Sequence, residues 1–360
     1  MKKYIKNLTI TELQEYLVSV GQPKYRAKQI FHEIFVGRIN TFDEISNIPK
    51  ALRQKLIEDF NLFSFKSTRT QHSSDGTIKF LFELNDGSAI ESVLIPCEYT
   101  DEDKRNRRTL CVSSQAGCAL DCSFCATGKL KFKRNLTASE IVDQVLAVEK
   151  QTRHKLTNIV FMGMGEPLLN YDNVKTAVEI LTNPELQLIK KRKITISTSG
   201  VTPKIIKLAD DNLPVKLALS LHAPEQELRK QLMPSAEKWK FDKLIESVEY
   251  YYKKTKTPIT FEYILFEGLN DRAEDIKRLS KLAKRVPTKV NLIPFHTIEF
   301  THPTGFAAGL KPASKGKIQW FRMELLKNGV QSFQRTSSGL DIDAACGQLA
   351  LKSQVQIIQQ

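Results

Sequence analysis

From Thr109 onward, six short apolar runs are each followed by an amphipathic stretch, and this alternation restricts the possible folds more than any other feature of the chain. The runs are Leu110-Cys-Val, Asn158-Ile-Val-Phe-Met, Lys193-Ile-Thr-Ile-Ser, Val215-Lys-Leu-Ala-Leu-Ser-Leu, Ile259-Thr-Phe-Glu-Tyr-Ile-Leu and Lys289-Val-Asn-Leu-Ile-Pro. Helix signals fall between them. Thr137-Ala-Ser-Glu140 has capping-box spacing, Phe241 to Tyr252 is amphipathic, and Asp271 and Asp275 lie at the start of a further helix. Strands separated by helices pair in parallel, because the chain must cross back before each new strand. Six such units predict an α/β fold built on an incomplete (βα)6 TIM-like barrel; a doubly wound open sheet is the alternative.

The flanking segments read differently. Residues 1–62 are expected to form a small helical accessory unit: Thr11-Glu-Leu-Gln14 has capping-box spacing, and Ala27, Ile30, Phe31, Ile34 and Phe35 make an apolar stripe at helical period. Residues 63–108 read as a β-rich connector. There Asn85-Asp-Gly87 separates two alternating runs, a hairpin signal, and the polar run Asp101 to Arg108 leads into the barrel core at 109–300. Residues 301–360 carry a last helix near Lys315 to Lys327, a strand, and the loop Asp341-Ile-Asp-Ala-Ala-Cys346-Gly.

Cys118, Cys122 and Cys125 follow the first strand with C-x3-C-x2-C spacing. A structural zinc normally closes with four ligands in paired half-sites, and the next two histidines along the chain, His154 and His222, each stand alone. An iron–sulfur cube held by three cysteines instead keeps one iron open to a small chelating molecule. Lys and Arg outnumber Asp and Glu by 54 to 40, giving +14. That excess points to a polyanionic partner, against the plainer reading of a lysine-rich composition. No run approaches the ~18 apolar residues of a membrane span, and Met1-Lys-Lys-Tyr-Ile-Lys lacks a signal-peptide core. The expectation is a cytoplasmic chain without membrane contact, whose six cysteines are reduced and bind metal or react. Cys97, with no motif around it, reads as a spectator thiol.

In a parallel barrel the reacting groups gather at the C-terminal ends of the strands. Polar or glycine-rich segments stand at five of those ends: the cysteine loop, Gly163-Met-Gly165-Glu166-Pro167, Ser197-Thr-Ser-Gly200, Ser220-Leu221-His222, and Asn291 through His296. A folded barrel brings them around one cavity.

Together with Phe124 before the last cysteine and Asp341-Ile-Asp-Ala-Ala-Cys-Gly-Gln-Leu349, these segments resemble the radical S-adenosylmethionine family. The similarity runs over nearly the whole chain, including Gly21-Gln-Pro-Lys-Tyr-Arg-Ala-Lys-Gln29, and is to the branch that methylates C2 of adenine in ribosomal and transfer RNA. The resemblance implies that Cys118, Cys122 and Cys125 hold a [4Fe–4S] cluster. It implies S-adenosylmethionine, two molecules per turnover, bound by Gly165, Glu166, Ser197, Ser220, Leu221, His222 and His296. At position 296 relatives often carry Asn; both Asn and His hydrogen-bond, so cofactor binding is expected to survive the change to His while the contact itself differs. Cys346 would carry the methyl group, Cys111 would be its disulfide partner during turnover, and Glu91 would handle a proton. On residues alone, Glu91 reads equally as an exposed sheet carboxylate. The implied partners are 23S ribosomal RNA in its peptidyl-transferase region, a tRNA adenosine beside the anticodon, and an electron donor such as flavodoxin or ferredoxin; the protein would act as a monomer.

This chemistry suits its target. Adenine C2 lies between two ring nitrogens, is electron-poor, and does not attack an electrophilic methyl, whereas a carbon radical adds to it. Basic runs at Lys104-Arg105-Asn-Arg107-Arg108, Lys129-Leu-Lys131-Phe-Lys133-Arg134 and Lys190-Lys-Arg-Lys193 are candidates for phosphate contacts, and Phe132 for base stacking or plain packing. Three rivals remain: an adenine-C8 methyltransferase, disfavoured by the proline in Gly165-Glu-Pro-Leu-Leu-Asn170; a zinc-stabilised RNA-binding protein; and an activase that installs a radical on another protein.

Overall fold

Strand and helix signals alternate in the computed structural model as the sequence predicts, over the described residues 2–97 and 107–351. Among these residues, ten strands form one sheet in chain order: β1 (Phe65–His72), β2 (Ile78–Leu84), β3 (Ala89–Cys97), β4 (Arg107–Cys111), β5 (Asn158–Phe161), β6 (Ile194–Thr198), β7 (Lys216–Ser220), β8 (Ile259–Leu265), β9 (Thr288–Pro294) and β10 (Ser332–Gln334). The strands β4 to β10 are parallel, and β1 to β4 pair antiparallel. Strand order never reverses, as a doubly wound sheet requires, and β1 and β10 do not pair, so the barrel is incomplete. The six expected strands are present, and β10 adds a seventh to the parallel set.

Two layers follow from the period-2 alternation of each strand. On β8, Ile259, Phe261, Tyr263 and Leu265 face the packed core, while Glu262 and Ile264 face the barrel interior and line a cavity. On β6 and β7, Ile194, Ile196, Leu217 and Leu219 join the core, and Ser197 and Ser220 line that cavity. The outer layer comprises α4 to α9 (Ala138–Thr152, Tyr171–Leu181, Thr202–Asp210, Phe241–Thr255, Ala273–Ala283 and Lys315–Lys327). The Thr137 box caps α4, its backbone N–H donating to Glu140 at 2.8 Å. Asp275 caps α8 from its third position, while Asp271 precedes the helix and accepts from the Gly268 N–H.

The N-terminal unit holds α1 (Ile10–Ser19), α2 (Arg26–His32) and α3 (Lys50–Asp59). The expected stripe is buried throughout, with Ala27, Ile30 and Phe35 fully so. The capping box, however, lies at Thr9 and Glu12, two residues before the predicted pair. A carboxylate at the third position accepts the Thr9 N–H at 2.7 Å, a stronger acceptor than the amide of Gln14. The unit docks on α4 through buried polar contacts: Lys6 Nζ lies 2.5 Å from Asp143, Ser64 N donates to the same carboxylate at 3.0 Å, and Ser139 N donates to Asn7.

The connector is part of the barrel sheet. The β2–β3 hairpin turns at Asn85–Gly87 as predicted, with Gly87 at φ 80, and β3 pairs with β4. Lys104, Arg105 and most of the polar run 101–108 lie outside the described residues, as does the side chain of Cys97.

Candidate active site

The three cysteines sit on a loop held open by its neighbours. At Gly117, φ is 77 and a Cβ would lie 1.7 Å from the Lys131 carbonyl, so only glycine lets the loop start there. Gln115 pairs with Asn135, its Nε2 donating to Asn135 Oδ1 at 2.8 Å, and Asn170 Nδ2 donates to the carbonyls of Ser114 and Leu136. Backbone N–H groups of Leu120 and Ala119 point at the Cys118 sulfur, and those of Thr127 and Gly128 at Cys125. Burial pushes Cys118 up to about 12, and raises Cys122 and Cys125 as well. Three soft, half-buried thiols, two of them with N–H donors aimed at their sulfurs, fit an iron–sulfur cluster, whose binding would release their protons. Among the described residues, no three His, Cys, Asp or Glu side chains gather at the spacing of one metal ion.

Opposite the loop, the strand ends complete a solvent-open cavity with about 830 Å³ of empty space. Gly165, Glu166, Ser197, Ser220 and His222 line it together with the three cysteines. At Gly165, φ is 95 and a Cβ would meet Gln115 Cβ at 2.4 Å. This close approach lets the Glu166 N–H reach Gln115 Oε1 at 2.8 Å. The buried Glu166 carboxylate accepts Ser199 N at 2.8 Å and Leu168 N at 3.0 Å, tying the ends of β5 and β6 together; burial raises its pKa while these N–H bonds oppose the shift. Ser197 and Ser220 hydroxyls face each other at 3.4 Å. His222 adopts a left-handed backbone at φ 53, and its Nδ1 accepts Ile264 N at 3.1 Å, which places the ring proton on Nε2. Burial, reinforced by Arg229, lowers its pKa to about 3.

Not all predicted residues meet in this cavity. The Leu221 side chain is in the core, so only its backbone is near the rim. His296 lines an adjoining solvent-open cavity of about 590 Å³, where its Nε2 contacts Ser337 Oγ at 2.6 Å. Cys111, at the end of β4, lines that second cavity and is pushed up to about 12 by burial and by Cys346. Cys346 lines both cavities. Glu91 is fully buried rather than an exposed sheet carboxylate. It lies on the same face of β3 as Val93 and Ile95, which line the second cavity, and its Oε2 accepts Leu351 N at 3.1 Å.

Several site residues were not read from the sequence. Arg335, immediately after β10, lines both cavities and faces Cys346, Glu262 and Cys111. The strand-end rule, applied to a seventh strand, would have found it. Glu262 signals itself as a lone acid inside an apolar strand; Asn291 Nδ2 donates to it at 3.0 Å. Buried Arg229 donates to the carbonyls of Ser199 and Ser220 from a short helix whose charges give no such hint. The basic runs also separate: Lys131 and Lys133 are exposed beside the cysteine loop, but Lys190–Lys193 precede β6 at the opposite end of the barrel, so the third run is not beside the site. Arg134 is held by Glu140 and Asp86.

A partial parallel barrel with a three-cysteine loop at its C-terminal rim defines a radical S-adenosylmethionine enzyme. The Radical SAM superfamily model matches residues 112–281, and the model of the ribosomal RNA large subunit methyltransferase N-terminal domain matches residues 4–62. A probable dual-specificity RNA methyltransferase RlmN from Christiangramia forsetii is 45% identical over 98% of this chain and 97% of its own. One from Thermotoga maritima is 42% identical over 97% and 98%. The crystal structure of a radical SAM methyltransferase from Sphaerobacter thermophilus superposes with a TM-score of 0.86 at 40% identity, covering 96% of this chain and 99% of that one. The chain belongs to the RlmN family of radical SAM RNA methyltransferases. The family's cofactors are a [4Fe–4S] cluster and S-adenosylmethionine. Among the described residues, no helix is long and apolar enough to cross a membrane.

Proposed function

We propose that the enzyme methylates C2 of an adenosine in the peptidyl-transferase region of 23S ribosomal RNA and of a tRNA adenosine beside the anticodon. It does so in the cytoplasm, as a monomer, with two S-adenosylmethionine molecules per turnover and flavodoxin or ferredoxin as electron donor. The observation that carries this reading is the placement of Cys346 on the wall shared by two cavities, the cysteine-loop cavity on one side and the cavity ending at Cys111 on the other. A methyl carrier must face its donor and its acceptor in turn.

Cys118, Cys122 and Cys125 would hold the cluster, and Gly165, Glu166, Ser197 and the Ser220–His222 segment would cradle the cofactor. When bound, the two supply the electron transfer and hydrogen abstraction that no side chain here can provide. Cys346 carries the methyl as a thioether, and Arg335 puts a half-buried positive charge beside it and Cys111. Cys111, as the thiolate, attacks the Cys346 sulfur and forms the disulfide as the bond from sulfur to the methylene carbon breaks; that carbon keeps the electron pair and takes up a proton, becoming the methyl group of the product. Glu91 accepts the C2 proton of the adduct. The adenine enters through the second cavity, which runs along β3 and β4 to Arg107, so an unstacked base is required. His296 borders this cavity, which supports a contact with the adenine end of the site.

The test is anaerobic reconstitution with RNA and methyl-labelled cofactor, comparing wild type with Cys346→Ala. Label at C2 only in wild type, identified by chromatography of the nucleoside, is expected. Label at C8, or transfer by the variant, overturns the reading.

A further inference from the structure

Lys79, on β2, is one of the few buried lysines and has no part in the reaction as drawn above. Its side chain is 6% exposed; its Nζ lies 3.5 Å from Glu91 Oε1 and donates to the Ile342 carbonyl at 2.6 Å. Glu91 Oε1 has no hydrogen-bond partner, while Oε2 accepts Leu351 N. Ile342 and Leu351 bracket Cys346 on its two sides. The two charges therefore grip both ends of the segment that carries the thiol, one through a carbonyl and one through an N–H. The adjacent β1–β2 turn adds to the grip: Gly339 N donates to Asp75 at 2.8 Å and Ser74 N to Asp341 at 3.0 Å.

A buried ion pair of this kind is a costly arrangement, and losing one partner leaves the other uncompensated. A simple structural anchor would need neither charge, since a neutral donor serves a carbonyl. The charge is accounted for by the carboxylate.

We propose that Lys79 is a positioning residue for the proton-transfer step. It orients the Glu91 carboxylate, supplies its counter-charge, and couples it to the position of the Cys346 segment. This rests on the role given to Glu91 above. While Leu351 N occupies Oε2, the carboxylate is engaged; when the segment shifts to deliver its methylene to the adenine, Lys79 keeps Glu91 aimed at the adduct. At that step the C2–H bond breaks, its electron pair stays with the purine ring, and the proton passes to a Glu91 oxygen.

The experiment compares Lys79→Met and Lys79→Arg in the full chain, scoring three products separately by mass spectrometry: S-methylated Cys346, covalent protein–RNA adduct, and C2-methyladenosine. Methylation of Cys346 serves as the folding control. Expected for Lys79→Met is retained Cys346 methylation, accumulated adduct, and product formation slowed about tenfold to a hundredfold, with Lys79→Arg recovering most of the loss. In the cluster-free protein, amide exchange at Leu351 should be faster in Lys79→Met. Unchanged product formation overturns the proposal, as does a parallel fall of all three products that Lys79→Arg does not relieve, which marks a structural lysine. If wild type itself forms neither adduct nor C2 product, the role of Glu91 fails first, independently of Lys79.

Discussion

The two groups of cysteines are built in opposite ways. Cys118, Cys122 and Cys125 fall within eight residues, and Cys118 and Cys125 receive N–H donors from their own loop. Cys111 and Cys346 stand on the fourth strand and near the end of the described chain, and meet only because the sheet, the β1–β2 turn and the cysteine loop hold the C-terminal segment in place. A locally built site survives most distant changes. A site assembled over long range depends on every contact that carries it, which also makes it movable.

The sharpest break in this comparison comes from Cys122→Ala, which should abolish iron and sulfide binding and all RNA methylation while leaving the fold; elemental analysis of anaerobically purified protein checks it. Next, Cys346→Ala and Cys111→Ala should both retain iron and lose C2 product, but differ from each other. With Cys346→Ala no adduct forms, whereas Cys111→Ala traps the covalent protein–RNA species, visible on a denaturing gel.

A smaller effect probes the cavity wall through pH. The unfolded chain takes up a proton on His222 near 6.5, and the folded one only near about 3. Between those values the unfolded state binds more protons, so stability is lost as pH falls. From pH 7 to 5, wild type should lose about 2 kcal/mol more than His222→Asn, measured by denaturant unfolding. Asparagine tolerates the left-handed backbone there. The smallest effect separates the basic runs: Lys131→Gln should reduce the salt dependence of RNA binding by about one unit of slope, and Lys191→Gln at the far end of the barrel should leave it unchanged.

Legibility in the sequence followed the same division. The parallel strands, the Thr137 cap, the Asn85–Gly87 hairpin and the cysteine loop are local patterns, and each stands where its residues predict. The approach of Arg335 to Glu262 and Cys111 depends on register across strands far apart in sequence, which no local period encodes, whereas Lys79 and Glu91 stand on the two arms of the predicted hairpin and only the burial of their face was not legible. The strand expected after the last helix is the short β10, and its place as a seventh member of the parallel set was not legible because three residues carry too little alternation to show which strand they join. For the Lys190 run, charge is visible in sequence, but which end of a strand it occupies is fixed only by the sheet.

The covering of the cysteine loop also sets an order of events during synthesis. Ala126 N donates to the Gly347 carbonyl at 2.7 Å, and the Thr127 hydroxyl to that of Leu349 at 2.8 Å, so the last described turn of the chain closes over thiols translated long before it. At the usual pace of elongation the interval is about ten seconds or more. For that time the three sulfurs of a nascent polypeptide lack the cover of this last turn, and iron delivered before closure would meet an open loop.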